Sequence, residues 1–250
     1  TYKFDNILGK SPAMLKIFEL IQQVAQTNSD ILIVGESGTG KELIARSIHQ
    51  RSKRKGKFVP VDCGAIPENL LESEFFGYEK GAFTDATASR MGLLEFAHQG
   101  TFFLDEICEL SPSLQSKLLR ALQERSFRRV GGKDEISVDV RVIAATNRDI
   151  NNEVKENRFR KDLYYRINVI RIDVPPLRDR KDDIELLVNY YLDRYSREME
   201  KPVKGIGQDA LEVLQQYSWP GNVRELQNVL KRSIALSRGE YLRLDDLPDD

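Results

Sequence analysis

Apolar residues in the first two-thirds of this chain fall into two alternating patterns. Short unbroken apolar runs occur as DILIVG (30–35), FVPVD (58–62), TFFLD (101–105), VRVIAAT (140–146) and VIRIDV (169–174). Runs of that length predict strands buried on both faces. Between them, apolar residues recur three and four positions apart. KELIARSIHQ (41–50) carries Leu43, Ile44, Ser47 and Ile48 at helical spacing, and PENLLESEFFG (67–77) opens with Pro67 in its first turn. The clearest helix is SPSLQSKLLRALQE (111–124): Ser111 can cap it, Pro112 suits its first position, and Leu114, Leu118, Leu119 and Leu122 share one face. Pro60, inside the second run, predicts an edge strand or a bulge. The alternation predicts an α/β fold, with a parallel sheet flanked by helices.

After PPLRDRKDD (175–183), a proline-rich charged joint, only helical spacing remains. Ile184, Leu187, Val188, Tyr191, Leu192 and Tyr195 form one stripe, Leu211, Leu214 and Gln215 a second, and Val223, Leu226, Leu230 and Ile234 a third. The expected organisation is an α/β domain over 1–176 and a small all-α domain over 177–250.

One stretch fits neither period. GYEKGAFTDA (77–86) sets Tyr78 and Phe83 among Gly77, Gly81 and Ala82. A buried strand would not begin with so much glycine, and a solvent loop would not normally carry a phenylalanine.

Composition changes this picture little. With 40% hydrophobic and 31% charged residues among 250, the chain can bury a sizeable core. A net charge of -1 gives no bulk sign of nucleic-acid or acidic-membrane binding. Cys63 and Cys108 match no metal-ligand spacing and read as reduced thiols, while His49 and His98 stand alone and read as structural. The basic run RSKRKGK (51–57) reads as a solvated helix end. No apolar run reaches membrane-span length and the first residues do not resemble a signal peptide, so a cytoplasmic protein is expected, without membrane contact. The opening TYKFDNILG, lacking an initiator methionine, suggests a piece of something longer.

The chemistry gathers where the predicted strands end. GESGTGKE (35–42) follows a strand, opens a helix and matches the phosphate-loop pattern Gly-x-x-x-x-Gly-Lys. Its glycines let backbone N–H groups face a phosphate chain, the helix N-terminus adds partial positive charge, and Lys41 can reach the β- and γ-phosphates. Where Ser or Thr usually holds magnesium stands Glu42. It could act through a metal-bound water, or Thr39 could contribute, and the residues alone leave both open. TFFLDE (101–106) delivers Asp105 to hold magnesium and Glu106 to deprotonate an attacking water. A nucleotide switch that only binds needs the first carboxylate and not the second. Thr146 and Asn147 end another strand, and Asn147 can bond the γ-phosphate or the water, or cap the next helix. RFRKDLYYRI (158–167) offers Arg158, Arg160, Lys161 and Arg166. An arginine supplied by a neighbouring subunit would stabilise the transferred phosphoryl group, although spacing alone favours an ordinary basic helix.

Together these residues resemble the AAA+ ATPase domain of bacterial enhancer-binding proteins, the NtrC and NifA class of sigma-54 activators. The resemblance runs from ILGKSPAM (7–14) to WPGNVREL (219–226). It implies a P-loop NTPase followed by a helical lid, with ATP and Mg2+ as cofactors. By this resemblance Leu8, Gly35, Glu36, Ser37, Gly38, Thr39, Gly40, Lys41, Glu42 and Arg224 bind nucleotide. TFFLDE matches the Walker B segment, AATN sensor I, WPGNVREL sensor II, and FRKDLYYRI the segment with trans-acting arginines, pointing to Arg160 and Arg166. GAFTDA matches the GAFTGA loop, which implies that Gly81, Ala82, Phe83, Thr84, Asp85 and Ala86 touch sigma-54. Asp85 departs from the glycine of the family pattern. So does Asp62, where many relatives carry an asparagine that pairs with the Walker B glutamate; two carboxylates close together would raise one pKa.

The implied function is a ring motor that remodels sigma-54 RNA polymerase. It is expected to be a hexamer or heptamer when active and a dimer when inactive. Enhancer DNA would be bound by a helix-turn-helix domain not visible in this sequence. Two other readings compete. Another AAA+ remodeller would keep the chemistry and change the partner, against which GAFTDA argues. A nucleotide-gated binding module without hydrolysis is opposed by Glu106.

Overall fold

The computed structural model describes residues 3–248, and the chain divides into two compact units. One comprises Ile21–Val34 and Ile44–Asp173; the other comprises the chain up to Leu20, Gly35–Leu43 and the chain from Val174 onward.

The first unit holds a five-stranded, all-parallel sheet. Its strands are β1 (Ile31–Val34), β2 (Phe58–Asp62), β3 (Thr101–Asp105), β4 (Arg141–Thr146) and β5 (Ile170–Asp173), in the spatial order β5-β1-β4-β3-β2. Pro60 thus lies on an edge strand, where its missing N–H breaks no ladder. Thr146 pairs in register with Val34, and Asp62 with Asp105, so the polar strand ends share one edge of the sheet. Phe102, Leu104, Val142 and Ala144 are fully buried in one core with the apolar faces of α3 (Glu68–Phe76), α4 (Pro112–Glu124) and α6 (Lys161–Ile167). Phe75 of α3 meets Phe102 edge-on, with ring centroids 5.4 Å apart. α4 forms as expected: Ser111 accepts from Leu114 N–H, Pro112 takes the first position, and the four leucines are buried.

The opposite end of the sheet contains a feature the apolar pattern hid. Arg141 is fully buried on central β4; its Nε donates to Ser29 O (3.0 Å) and its Nη2 to Val24 O (2.8 Å). Burial lowers its pKa to about 10. His49 bonds Thr101 Oγ1 at 2.8 Å, a structural contact, and burial lowers its pKa. The basic run 51–57 is not simply solvated: Arg54 forms a bidentate pair with Asp139, and Lys57 lies 4.0 Å above the Phe96 ring.

In the second unit, α7 (Asp182–Glu198), α8 (Gln208–Gln216) and α9 (Asn222–Leu236) pack around Leu187, Tyr191, Leu226, Leu230 and Ile234. The expected all-α character needs one correction. Gly205–Ile206 and Tyr241–Leu242 form a short parallel pair ahead of α8 and after α9. Asp183 is fully buried and accepts from Lys10 N, Ser11 N and Ser11 Oγ at 2.6–2.8 Å, which fixes the start of α1 (Pro12–Ala25). α2 (Lys41–Arg51) buries Ile44, Ala45, Ser47 and Ile48, whereas Leu43, expected on that face, is 38% exposed at its margin. No helix among the described residues is long and apolar enough to cross a membrane.

Candidate functional site

The chain passes from β1 directly into the loop 35–40, and α2 starts at Lys41. Gly38 (φ +77°) and Gly40 (φ +100°) adopt left-handed backbone that a side chain would strain. Lys41 is 7% exposed, and its Nζ donates to Gly35 O (2.9 Å) and Glu36 O (3.2 Å), so its charge is held inside the curl of the loop. Thr39 Oγ1 donates to Glu36 O at 2.8 Å, while Glu42 lies exposed in the first turn of α2. A Cβ built on Gly40 would meet no atom within 4 Å, which leaves open space beside that bend.

Other segments of the same unit grip this loop. Arg178 forms two hydrogen bonds to the Glu36 carboxylate, at 2.5 and 2.9 Å. Asn222, fully buried, donates from Nδ2 to Glu36 Oε2 (3.1 Å) and Ser37 O (3.0 Å) and accepts Leu177 N–H at 2.7 Å. The Arg178 hydrogen bonds, then that of Asn222, lower the Glu36 pKa to about 2. Val223 N donates to Gly38 O (3.1 Å), Arg180 Nη2 to Thr39 O (3.2 Å) and Arg224 Nη1 to Ser37 Oγ (3.1 Å). Leu8, in the strand Ile7–Leu8, is buried in the apolar core of this unit. Arg178, Arg180 and Asn222 escaped the sequence reading. Asn222 sits inside the quoted WPGNVREL motif, and its signal was the Gly-Asn pair at a helix start; Asn222 takes φ +53°.

In the sheet unit, β3 presents Asp105, whose Oδ1 accepts the N–H of Glu106 at 3.1 Å. Glu106 then adopts left-handed backbone (φ 51°, ψ 51°), a conformation costing a non-glycine residue about 1–3 kcal/mol. That bend turns its carboxylate toward the end of β4, where Oε2 accepts Asn147 N–H at 3.1 Å. Asn147 does not cap the following helix, α5 (Ile150–Lys155). Asp149 does, accepting from Asn151 N and Asn152 N, which removes the bland alternative for Asn147. Asp62 Oδ1 accepts Gly64 N (2.9 Å) and Ala65 N (3.2 Å), the local turn an Asx residue favours. Burial, then the charges of Asp62, Asp105 and Glu106, push the Cys63 thiol far up its range, consistent with an inert thiol. Among the described residues, no group of three or more His, Cys, Asp or Glu is arranged to hold a metal. Magnesium does not require one, because it is commonly held by one or two carboxylates plus nucleotide phosphates, and Asp105 fits that use.

The two arginines stand in different surroundings. Arg160 is 45% exposed; its guanidinium bonds Asp162 at 2.7 and 3.0 Å and Ser116 Oγ at 3.1 Å. Arg166 pairs with Asp30, a buried carboxylate that also accepts Val142 N–H at 2.9 Å. Burial raises the Asp30 pKa.

The loop 81–86 projects with Phe83 44% exposed and Gly81, Thr84 and Asp85 also open to solvent. Ala86, expected among the contact residues, is 5% exposed; its carbonyl receives Gly81 N–H at 2.8 Å and closes the mouth of the loop. Phe83 rests against Tyr78, ring centroids 4.9 Å apart.

Comparison with known proteins gives consistent matches. The model of the Sigma-54 interaction domain covers residues 7–173, and that of the AAA+ ATPase lid domain residues 178–250. Regulatory protein AtoC of Escherichia coli (strain K12) is 52% identical over 249 residues, 99% of this chain and 54% of AtoC. The Nif-specific regulatory protein of Herbaspirillum seropedicae is 52% identical over 242 residues, 96% of this chain and 45% of that protein. The crystal structure of NtrX from Brucella abortus in complex with ATP superposes with a TM-score of 0.90 at 40% identity, over 97% of this chain and 54% of NtrX. The chain spans about half the length of the curated relatives it matches.

Proposed function

The chain belongs to the sigma-54 interaction family, the AAA+ ATPase domains of NtrC/NifA-class transcriptional activators, and from that membership we propose that its ATP hydrolysis remodels sigma-54 RNA polymerase through the loop 81–86. The observation that carries this reading is the pairing of a complete phosphate loop with a strand-end carboxylate pair in a chain that also carries GAFTDA.

In this reading the loop 35–40 and Lys41 bind the triphosphate, with Arg224 answering from α9. Magnesium, held through Asp105, offsets phosphate charge when bound. Glu106 takes a proton from the attacking water, and its left-handed backbone supports that role by orienting the carboxylate beside Asn147. Arg160 serves a neighbouring subunit's nucleotide, so turnover depends on assembly into a ring. Arg166 is assigned the same trans role, and its pairing with Asp30 would have to open for it. Phe83, Thr84 and Asp85 meet sigma-54, Gly81 and Ala82 form the rising limb, and Ala86 closes the base. The working division is 1–176 for nucleotide chemistry and 177–250 for the lid. The whole protein would work in the cytoplasm and bind enhancer DNA through a helix-turn-helix domain elsewhere.

The test measures ATPase rate against protein concentration, alongside capture of sigma-54 with ADP plus aluminium fluoride. A rate per subunit that rises with concentration, together with capture, is expected. Glu106→Gln should lower turnover by about a hundredfold or more. Turnover without capture would keep the motor and reject the partner; turnover indifferent to concentration would reject the ring.

A further inference from the structure

The apolar face of α4 contains one amide. Gln115 lies one turn after Ser111 and just before Leu118, Leu119 and Leu122, and it is as buried as they are, at 0% exposure. A leucine would bury more apolar area there without bringing polar groups that must be satisfied. The Gln115 carboxamide is satisfied through three main-chain contacts outside α4, one just ahead of the helix and two that lie 43 and 45 positions along the chain. Nε2 donates to Leu110 O (2.8 Å) and to Arg158 O (3.0 Å), and Oε1 accepts Arg160 N–H at 2.8 Å.

These partners carry the meaning. Leu110 ends the 3-10 turn that begins at Glu106. Arg158 and Arg160 flank Phe159, itself 1% exposed, so the main chain just before α6 is clamped between a buried ring and a buried amide. Arg160 occupies the N-cap position of α6 with extended backbone (φ −69°, ψ 131°). Its N–H is fixed inside the protein while its guanidinium reaches the surface. The next residue on α4, Ser116, touches that guanidinium through its hydroxyl, so adjacent residues of one helix hold the two ends of Arg160.

We propose that Gln115 is the positioning residue for Arg160: its carboxamide fixes the backbone from which the arginine projects. The inference rests on the reading of Arg160 as the group that serves a neighbouring subunit. A side chain of similar length that lacks both amide functions leaves Arg160 N–H, Arg158 O and Leu110 O without this partner, and the arginine loses its fixed origin. A misplacement of about 1 Å in a group far along a chain can cost on the order of a hundredfold in rate.

The experiment uses mixed assemblies. Subunits carrying Glu106→Gln keep Arg160 and lose their own turnover; subunits carrying Arg160→Ala keep Glu106 and lack the arginine. Neither should turn over ATP alone, and mixing them should restore hydrolysis. Gln115→Met is then placed on one member at a time. On the Glu106→Gln subunit, which donates the arginine, it should cut the restored rate at least tenfold. On the Arg160→Ala subunit the restored rate should change less than twofold. Thermal unfolding of each variant separates positioning from misfolding, and Gln115→Glu, which sets a buried carboxylate against Leu110 O and Arg158 O, should lose at least as much of the donor-side rate as Gln115→Met. Equal losses on both members, or no loss on the donor, would overturn the role of Gln115 while leaving Arg160 in place. Failure of the parent mixture to recover, or full activity of Arg160→Ala alone, would instead overturn the trans assignment of Arg160 and the inference with it.

Discussion

Two glycine-containing loops, 35–40 and 81–86, use the same residue type for opposite ends. At Gly38 a Cβ would stand 2.2 Å from Gly221 O and 3.0 Å from Arg224 Cβ, while at Gly81 it would meet nothing within 4 Å. Both take positive φ, +77° and +84°. The first glycine is demanded by backbone conformation and by close approach together, the second by conformation alone. The surroundings follow suit. The loop at 35–40 is held by Lys41, Arg178, Arg180, Asn222 and Arg224, whereas 81–86 is closed mainly by its own backbone, with Phe83 against Tyr78. Glycine content therefore does not measure how firmly a loop is held: the first is gripped by side chains from several segments, and the second has an exposed apex.

The sharpest way to break this comparison is to add a methyl group to each loop. Gly38→Ala combines left-handed strain with a backbone collision and should cost about 3 kcal/mol or more, together with nucleotide affinity. Chemical denaturation and nucleotide titration read both losses, and a near-neutral result would mean that the grip on the first loop is looser than its contacts indicate. Gly81→Ala meets open space and should cost only the conformational strain, about 1 kcal/mol, with ATP turnover kept and sigma-54 capture reduced. Equal destabilisation by the two substitutions would erase the distinction.

The smallest effect concerns Glu36. Its carboxylate pKa is held at about 2, below the ordinary 4.5, chiefly by Arg178. A depressed folded-state pKa contributes stability that is complete above 4.5 and is lost as pH falls toward about 2. The side chain is 40% exposed, so solvent screening limits the pair to less than about 1 kcal/mol. Glu36→Gln should therefore be slightly less stable than the parent at neutral pH, and the gap should close across that acidic window. A gap that stays constant with pH would show that the carboxylate charge contributes nothing to holding the loop.

How far the sequence could be read differs by kind of residue. The strands and helices that were read in the α/β part, the Ser111 cap and the edge placement of Pro60 were legible within a residue or two, because period and cap chemistry are local, whereas the helix Pro12–Ala25 was not read. Val169 was counted as strand yet is 57% exposed, ahead of a strand that starts at Ile170. Arg141 was read within an apolar run without notice of its charge, since burial of an arginine depends on carbonyls that other segments bring. Asp85 remains solvent-exposed, and only its backbone carbonyl, accepting Thr87 N–H at 2.9 Å, takes part in the turn.

By itself the sequence determined the alternation of strands and helices, the glycine-bearing turn 35–40, the carboxylate pair at the end of β3 and the departure of 81–86 from either period. Each depends on residues within a few positions of one another, where backbone geometry alone sets who faces whom. Tertiary structure decided the rest. Asn222 meets Glu36 across 186 positions, Arg178 meets Glu36 across 142, Arg166 meets Asp30 across 136, and Gln115 meets Arg160 across 45. No local period encodes such pairings. They exist because burying the apolar faces brings these segments together, and a polar group carried into that interior must find a partner there.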